Sequence, residues 1–461
     1  MDTRRFNLDT ALTLIAAYLG LFVGLIDANA INLALPAIRD DLGGGISGAQ
    51  WTIDAYNITF AAVLLTAGSL GDKFGRRTLL RVGLVTFIAA SLACALASSL
   101  PLLLAARAVQ GVGAAVMLPQ GLAITAAAFP NPVERARATA AWAMAAAIST
   151  AIGPILGGVL TDSLGWRYIF WLNAPVGVLA LLMSYRYLPE SRDPDAARFD
   201  IPGQTLAMLG LGALTIVLVE GRTMTPAWTI ALAVVAVAGI AAFIWSQQRV
   251  SHPMLPLDLF RSSRLVAALF ATFTMTFGIY GLLLVNSFAF QQQRGASALA
   301  TALWFLPMPV TYLVFIPAVN VLAHRTGPRL PISGGLALMA SGMALYAAVG
   351  PHAEVWLIEL SFVLAGAGLA LTTGPAVGLA MSAVPVQRAG LASGVVNLAR
   401  LVGITVGVAV LGSAMAAIGG ADGARVATMV GGLVQLTGAA VALAWARAEA
   451  PESVKEKVCH A

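Results

Sequence analysis

Apolar segments of about twenty residues recur along the whole chain and are separated by short polar stretches. Each segment is long enough to cross the hydrocarbon core of a bilayer as a helix. The pattern predicts about fourteen membrane spans, near residues 11–35, 50–70, 79–98, 102–127, 137–160, 167–187, 203–220, 227–246, 266–290, 298–322, 331–349, 355–382, 391–415 and 427–446. We therefore expect an all-α polytopic membrane protein.

The composition supports this class. The chain has 461 residues, of which 59% are hydrophobic and 10% charged, whereas an ordinary soluble chain is about 25% charged. Lys and Arg concentrate in alternate connections, which predicts that both termini are cytoplasmic in the cell (cytoplasmic or inner) membrane. The net charge of +6 then reflects basic loops facing anionic lipid, and we expect no nucleic-acid partner.

Two kinds of site find no support in the sequence. Cys94 and Cys459 are expected to lie far apart, so we predict no disulfide framework. No His, Cys or carboxylate cluster has the spacing of metal ligands. We expect neither a metal nor an organic cofactor.

A charged segment occurs twice. Residues 68–77 read Gly-Ser-Leu-Gly-Asp-Lys-Phe-Gly-Arg-Arg, and residues 322–329 hold a weaker copy in which Gly75 and Arg77 correspond to Gly327 and Arg329. Two further pairs share nearly the same offset, namely 132–136 with 385–389 and 111–113 with 366–368. An even number of helices separates the copies. The pattern therefore predicts two parallel six-helix repeats about an axis along the membrane normal.

Six helices in each repeat leave two over, near 203–220 and 227–246. We predict a first six-helix bundle in residues 1–187, a linker with the two extra helices in 188–260, a second six-helix bundle in 261–447 and a cytoplasmic tail in 448–461. We expect the protein to act as a monomer.

Four motifs resemble those of one family. They are residues 68–77 (G-x-L-[AG]-D-x-x-G-R-R/K), residues 107–113 (R-x-x-Q-G), residues 153–158 (G-P-x-x-G-G), and Asp27 with residues 32–36. On these motifs the chain resembles the major facilitator superfamily. Within it, the chain is similar to the fourteen-helix drug:proton antiporter branch, which includes methylenomycin A and quaternary-ammonium exporters. The second copy of the charged segment departs from the pattern, because His324 stands where the acid is expected.

The resemblance implies two conformational devices. Gly68, Asp72, Gly75, Arg76 and Arg77 would form a gate that latches the two halves in one state of the transport cycle, with Asp72 capping a helix end. The alternative is a basic loop that only sets orientation. In the second device, Gly153, Pro154, Gly157 and Gly158 would form a hinge and a seal against proton leak; the alternative is generic helix packing.

Charges within the spans are expected to be functional, because they are costly in lipid. Asp27 lies about 24 Å along its helix at a rise of about 1.5 Å per residue. It is the first candidate for a proton carrier or cation contact; the alternative is a hydrogen-bonded structural acid. Arg107 would pair with an acid, either to couple protonation to movement or as a structural ion pair. Asp54 is a second candidate proton or substrate site, in a polar and aromatic mouth with Tyr56.

The substrate cavity is predicted near Asp27, Asn32, Tyr56, Gln110 and Arg400. Arg400 needs an acid, helix carbonyls or an anionic substrate as its partner. By contrast, Glu220 belongs to the inserted pair and is expected to be peripheral or exposed to water.

These features favour proton-coupled efflux of a small organic compound or drug by alternating access, driven by the proton gradient. Proton-coupled uptake of a small metabolite is the nearest alternative, and only the fifth-helix motif argues against it. An intramembrane enzyme is disfavoured, because no nucleophile–base pair or metal set appears. A channel is disfavoured, because nothing resembles a selectivity filter.

Overall fold

The computed structural model describes residues 8–129, 131–192, 200–250, 253, 255–384 and 389–446. In this part of the chain fifteen α-helices follow one another: α1 Leu8–Leu42, α2 Gly45–Phe74, α3 Arg76–Ala95, α4 Leu100–Ala128, α5 Pro132–Ser163, α6 Arg167–Tyr187, α7 Ile201–Glu220, α8 Pro226–Arg249, α9 Ser263–Phe288, α10 Ala298–Phe305, α11 Pro307–Thr326, α12 Arg329–Val349, α13 Val355–Ser382, α14 Ala389–Ile418 and α15 Gly420–Trp445. The predicted tail 448–461 and Cys459 lie outside the described residues.

Thirteen segments of the described residues are long and apolar enough to cross a membrane. One of them, Ala298–Ala323, contains both α10 and α11. The helix is interrupted at Leu306, before Pro307, because proline cannot donate the backbone hydrogen bond that would continue the preceding turn. With α2, which has 30 residues, the described residues contain fourteen long helical segments. The all-α class is confirmed, with thirteen candidate spans where about fourteen were predicted.

The helices pack in two corresponding groups. In the first half, α1 packs on α5 and α6, α2 on α4, and α3 on α4 and α6; in the second half, α9 packs on α14 and α15, α12 on α13 and α15, and α11 on α13. The same close approach of glycines occurs in both halves. A Cβ at Gly83 would lie 2.9 Å from the Gly113 carbonyl oxygen, and one at Gly335 would lie 2.7 Å from that of Gly368. The duplication seen in the sequence is therefore present in the packing, whereas the exact bounds of the four predicted regions stay a prediction.

The charged segment is helical, although the sequence suggested a loop. Helix α2 continues through Asp72 to Phe74, and α3 begins at Arg76, so Gly75 alone makes the turn. Gly75 has a φ of 104°, which disfavours any residue with a Cβ. In the second half Gly327 takes a φ of 74° between α11 and α12. The repeated glycine thus has the same conformational role in both halves.

The inserted helices α7 and α8 pack on each other, and α7 also contacts α2 of the first half and α14 of the second. Glu220 accepts hydrogen bonds from Ser47 and from the indole Nε1 of Trp51 at 3.1 Å. The Ser413 hydroxyl donates to the carbonyl of Leu218 at 2.7 Å. Glu220 is only partly exposed, because helix packing gives its carboxylate two donors on α2. Its peripheral role stays a prediction.

The two halves are joined near the end of the molecule opposite Gly75, which we call the distal end; the end with Gly75 is the motif end. Hydrogen bonds between the halves at or toward the distal end run from Gln50 to the carbonyls of Val408 and Ala409, from Ser287 to the carbonyl of Asn32, from Gln291 to that of Leu33, and from the amides of Ala298 and Leu299 to Asp162. These bonds pair α2 with α14, α1 with α9, and α5 with α10. The distal end is therefore closed.

Candidate transport site

Asp27 lies at the centre of a buried polar cluster in the first half. Its Oδ2 is 2.6 Å from Nη1 of Arg107, and the two side chains are 0% and 1% exposed. Its Oδ1 accepts hydrogen bonds from the Gln110 amide at 3.1 Å and from the Asn173 amide at 2.7 Å. The carboxylate is thus held by one cation and two neutral donors, which offset much of the cost of burying its charge.

Two members of this cluster were missed from the sequence. Asn173 comes from α6, and Ser91 from α3 accepts hydrogen bonds from the amides of Gln110 and Asn173. Each sits alone in an apolar span with no motif around it. A buried polar residue in a span was the only available signal, and many such residues bond only to their own helix.

Arg107 connects Asp27 to α2. Its Nε donates to the carbonyl of Thr52 at 3.0 Å, and its guanidinium carbon lies 4.5 Å from the centre of the Tyr56 ring. Two residues before Thr52 on the same helix, Gln50 holds α14 of the other half. A change in the charge of Asp27 would therefore act on the helix that joins the halves.

The predicted mouth around Asp54 does not form. Tyr56 is buried beneath Arg107, whereas Trp51 turns toward Glu220 on α7. These residues lie on different faces of α2, because successive positions on a helix are about 100° apart. Asp54 is 0% exposed, and in the described part of the chain neither of its carboxylate oxygens accepts a hydrogen bond.

The other predicted cavity residues make no described hydrogen bond or ion pair with this cluster. Asn32 is buried, and its amide donates to the carbonyl of Ala28 at 3.1 Å on its own helix. Arg400, on α14 of the second half, is partly buried. The structure therefore brings Asp27, Arg107, Gln110 and Tyr56 together, whereas no described hydrogen bond or ion pair joins Arg400 to them.

The hinge motif lies at a junction of three helices. A Cβ at Gly153 would be 2.7 Å from Cβ of Asn29 on α1, and one at Gly157 would be 2.7 Å from Cα of Ala30. On the other side, a Cβ at Gly158 would be 2.8 Å from Cα of Leu299 on α10. Beside Pro154, a gap of about 20 Å³ separates the halves. The glycines let α5 touch both its own half and the opposite one.

The ionic contacts of the charged motif that the structure describes lie within the first half. Asp72 pairs with Arg76 at 2.8 Å across one turn, and Arg77 donates to the carbonyl of Leu188 at 3.0 Å. The sequence suggested that Asp72 caps a helix end, but it does not cap α3. Because α2 continues past Asp72, its carboxylate reaches across the turn at Gly75 to Arg76, the first residue of α3. The cap of α3 is supplied by Glu190. Gly68 lies inside α2.

Glu190 is the functional residue of this turn that sequence reasoning overlooked. Its carboxylate accepts hydrogen bonds from the amides of Arg77 at 3.0 Å and Thr78 at 3.2 Å, and from the Thr78 hydroxyl at 2.7 Å. Burial alone would raise the pKa of Glu190, but the hydrogen bonds from the Thr78 hydroxyl and from the amides of Arg77, Ser191 and Thr78 outweigh it and lower that pKa. The ionised carboxylate is therefore the form that fits α3.

The family model described as Major Facilitator Superfamily matches residues 17–408 of this chain and, in a second match, residues 268–458. The chain belongs to the Major Facilitator Superfamily. As a member of this transporter family, it is a multi-pass membrane protein that handles small molecules. The second match lies almost wholly in the second half, in agreement with the duplication.

The chain is also similar to curated relatives in sequence and to solved structures in fold. The chain is 40% identical over 413 residues to "Multidrug resistance protein Stp" of Mycobacterium tuberculosis, covering 89% of this chain and 77% of that protein. It is 30% identical over 445 residues to "Methylenomycin A resistance protein" of Streptomyces coelicolor, covering 94% and 92%. A crystal structure of a POT family transporter in complex with 5-aminolevulinic acid has a TM-score of 0.71 at 16% identity and covers 95% of each chain. The last likeness shows a shared fold.

Proposed function

We propose that this protein exports small organic compounds across the cytoplasmic membrane in exchange for protons. The relatives named for multidrug and antibiotic resistance support the direction and the type of cargo. The observation that carries the coupling is the Asp27–Arg107 pair, because it is a buried proton-binding group held against a cation. No catalytic role, metal or organic cofactor is part of the proposal, and the working unit is a monomer.

The coupling follows from the contacts of Arg107. When Asp27 binds a proton, its charge is lost, and Arg107 keeps neutral acceptors and the rings of Tyr56 and Phe170. A buried guanidinium without a counter-charge is costly, so Arg107 moves and carries α2 with it. Since Gln50 on α2 binds α14, protonation of Asp27 favours separation of the halves at the distal end.

The orientation is part of the proposal. The basic residues near Gly75 would place the motif end and both termini in the cytoplasm. The closed distal end then faces outward, and the structure represents the state that is closed to the outside. Separation at the distal end would release cargo outside while Asp27 takes up an external proton.

Everted membrane vesicles test the exchange. With a preset acid-inside gradient, addition of a transported compound is expected to release protons, and the compound is expected to accumulate inside. Accumulation in right-side-out cells, with no proton release in everted vesicles over a broad panel of compounds, would favour uptake and contradict export. Vesicles from cells that lack the protein serve as the control.

A further inference from the structure

Arg400 differs from the buried pair in the first half. Asp27 and Arg107 neutralise each other and are nearly inaccessible. Arg400 is partly exposed, and in the described part of the chain it forms no ion pair; its Nε is buried without an acceptor. A guanidinium remains charged even in an apolar setting. The second half therefore carries a positive charge that no described side chain compensates.

The surroundings of Arg400 hold it in place and are aromatic. The Thr276 hydroxyl on α9 donates to the carbonyl of Arg400 at 3.0 Å, which fixes α14 against α9 at this level. Tyr280 on α9 and Tyr312 on α11 lie near Arg400, and the Tyr312 hydroxyl forms a hydrogen bond with Thr373 on α13. Four helices of the second half thus converge on one cation and two phenol groups.

This group lies on helices that contact the first half. Arg400 is on α14, which packs on α2, and Tyr280 is on α9, which packs on α1. A molecule between the halves would therefore meet the closed, internally neutral cluster on one side. On the other side it would meet the cation of Arg400.

We propose that the preferred cargo is an organic anion, with a carboxylate or phenolate on an aromatic or apolar body, and that Arg400 binds its charged group. This inference rests on the proposed function, since it names the cargo of the same transporter. A guanidinium binds a carboxylate with two parallel hydrogen bonds, and Tyr280 and Tyr312 supply aromatic surface and hydroxyl donors beside it. A permanently cationic compound would meet a like charge.

Binding to the full-length protein in phosphatidylcholine nanodiscs tests the proposal. The probes are naphthoate, its uncharged analogue naphthamide, and the cation ethidium. We expect naphthoate to bind about tenfold more tightly than naphthamide, which corresponds to one charge-assisted contact. Arg400→Gln is expected to remove that difference and Arg400→Lys to keep part of it. Arg425→Gln, which removes a cation near Asp422 on α15, is the matched control and should change nothing.

Three results would overturn the proposal: no binding of naphthoate, tighter binding of ethidium than of naphthoate by the wild type, or a preference that survives Arg400→Gln. Loss of naphthoate binding when phosphatidylglycerol is added would assign Arg400 to a lipid headgroup and also overturn it. If Arg400→Gln does not fold, the wild-type preference and Arg400→Lys still decide. If ethidium is exported by the proton gradient but naphthoate does not bind, only the inference about the cargo is contradicted. If naphthoate binding depends on Arg400 but no probe is moved by the proton gradient, only the proposed export is contradicted.

Discussion

Arg107 and Phe362 occupy equivalent positions in the two halves. Arg107 stands four and six residues before the glycines at 111 and 113, and Phe362 stands four and six residues before the corresponding glycines at 366 and 368. Arg107 forms the ion pair with Asp27. Phe362 lies 5.2 Å from the centre of the Phe305 ring and 6.3 Å from that of Phe290. The duplicated bundles thus kept their packing but diverged in chemistry, with an ionic core in one and an aromatic core in the other.

The first prediction concerns Asp27. Asp27→Asn leaves Arg107 buried without a counter-charge, which costs about 3–5 kcal/mol when a buried pair loses one partner. We expect the melting temperature to fall and proton release in everted vesicles to disappear, while binding of cargo persists. Asp41→Asn, which removes the partner of Arg167 in a more exposed pair, should retain proton release. Full coupling in Asp27→Asn would remove Asp27 from the mechanism.

The second prediction concerns the seal. Gly157→Ala places a Cβ 2.7 Å from Cα of Ala30, and overpacking of this kind costs about 1–3 kcal/mol. We expect a proton leak in proteoliposomes loaded with a pH-sensitive dye, or slower transport. Gly212→Ala on α7 is the control, because a Cβ there meets nothing within 4 Å. Equal behaviour of the two variants would show that the close contact of α5 and α1 has no part in sealing.

The third prediction uses the lowered pKa of Glu190. Its stabilisation is fully present above the unfolded-state pKa of about 4.3 and is lost as pH falls through the lower folded-state pKa. Glu190→Gln should therefore be less stable than the wild type by about 1 kcal/mol at pH 7, and the difference should shrink below about pH 4.

Thermal unfolding in detergent between neutral and acid pH measures the difference between Glu190→Gln and the wild type. Glu354→Gln provides the control, because Glu354 precedes α13 without a side-chain capping hydrogen bond. A difference for Glu190→Gln that stays constant across this range would contradict the assignment of its ionised carboxylate to the cap.

The fourth prediction concerns the attachment of α7. Glu220→Ala with Ser413→Ala removes its side-chain hydrogen bonds to α2 and α14. Each of these hydrogen bonds is worth about 1 kcal/mol. The double substitution should therefore shift the equilibrium between the closed and the open distal end toward the open form by about tenfold or more. Spin labels at Ser98 and His352, one in each half, would report longer distances. Thr205→Ala, whose hydroxyl bonds only within α7, should leave the distances unchanged.

The spans and the duplication could be predicted from the sequence because each is encoded locally, in apolar length or in a repeated motif. The partners of Asp27 were only partly accessible: Arg107 and Gln110 belong to one motif, whereas Asn173 is 146 residues away from Asp27 and only packing brings it there. The role of Glu190 was missed for the same reason. The charged segment was expected to be a loop because it is polar and separates two apolar segments. In the structure α2 continues through it to Phe74, the residue before Gly75.

Helix α7 also has a consequence for molecules dissolved in the bilayer. It covers the seam between α2 and α14 from the lipid side, and in the described part of the chain neither α7 nor α8 packs on the corresponding seam between α5 and α10. Without α7, the duplication would leave two equivalent seams between the halves exposed to the lipid. Of these two seams, the one along α5, beside Pro154 and its glycines, is the one that α7 and α8 leave uncovered in the described part of the chain.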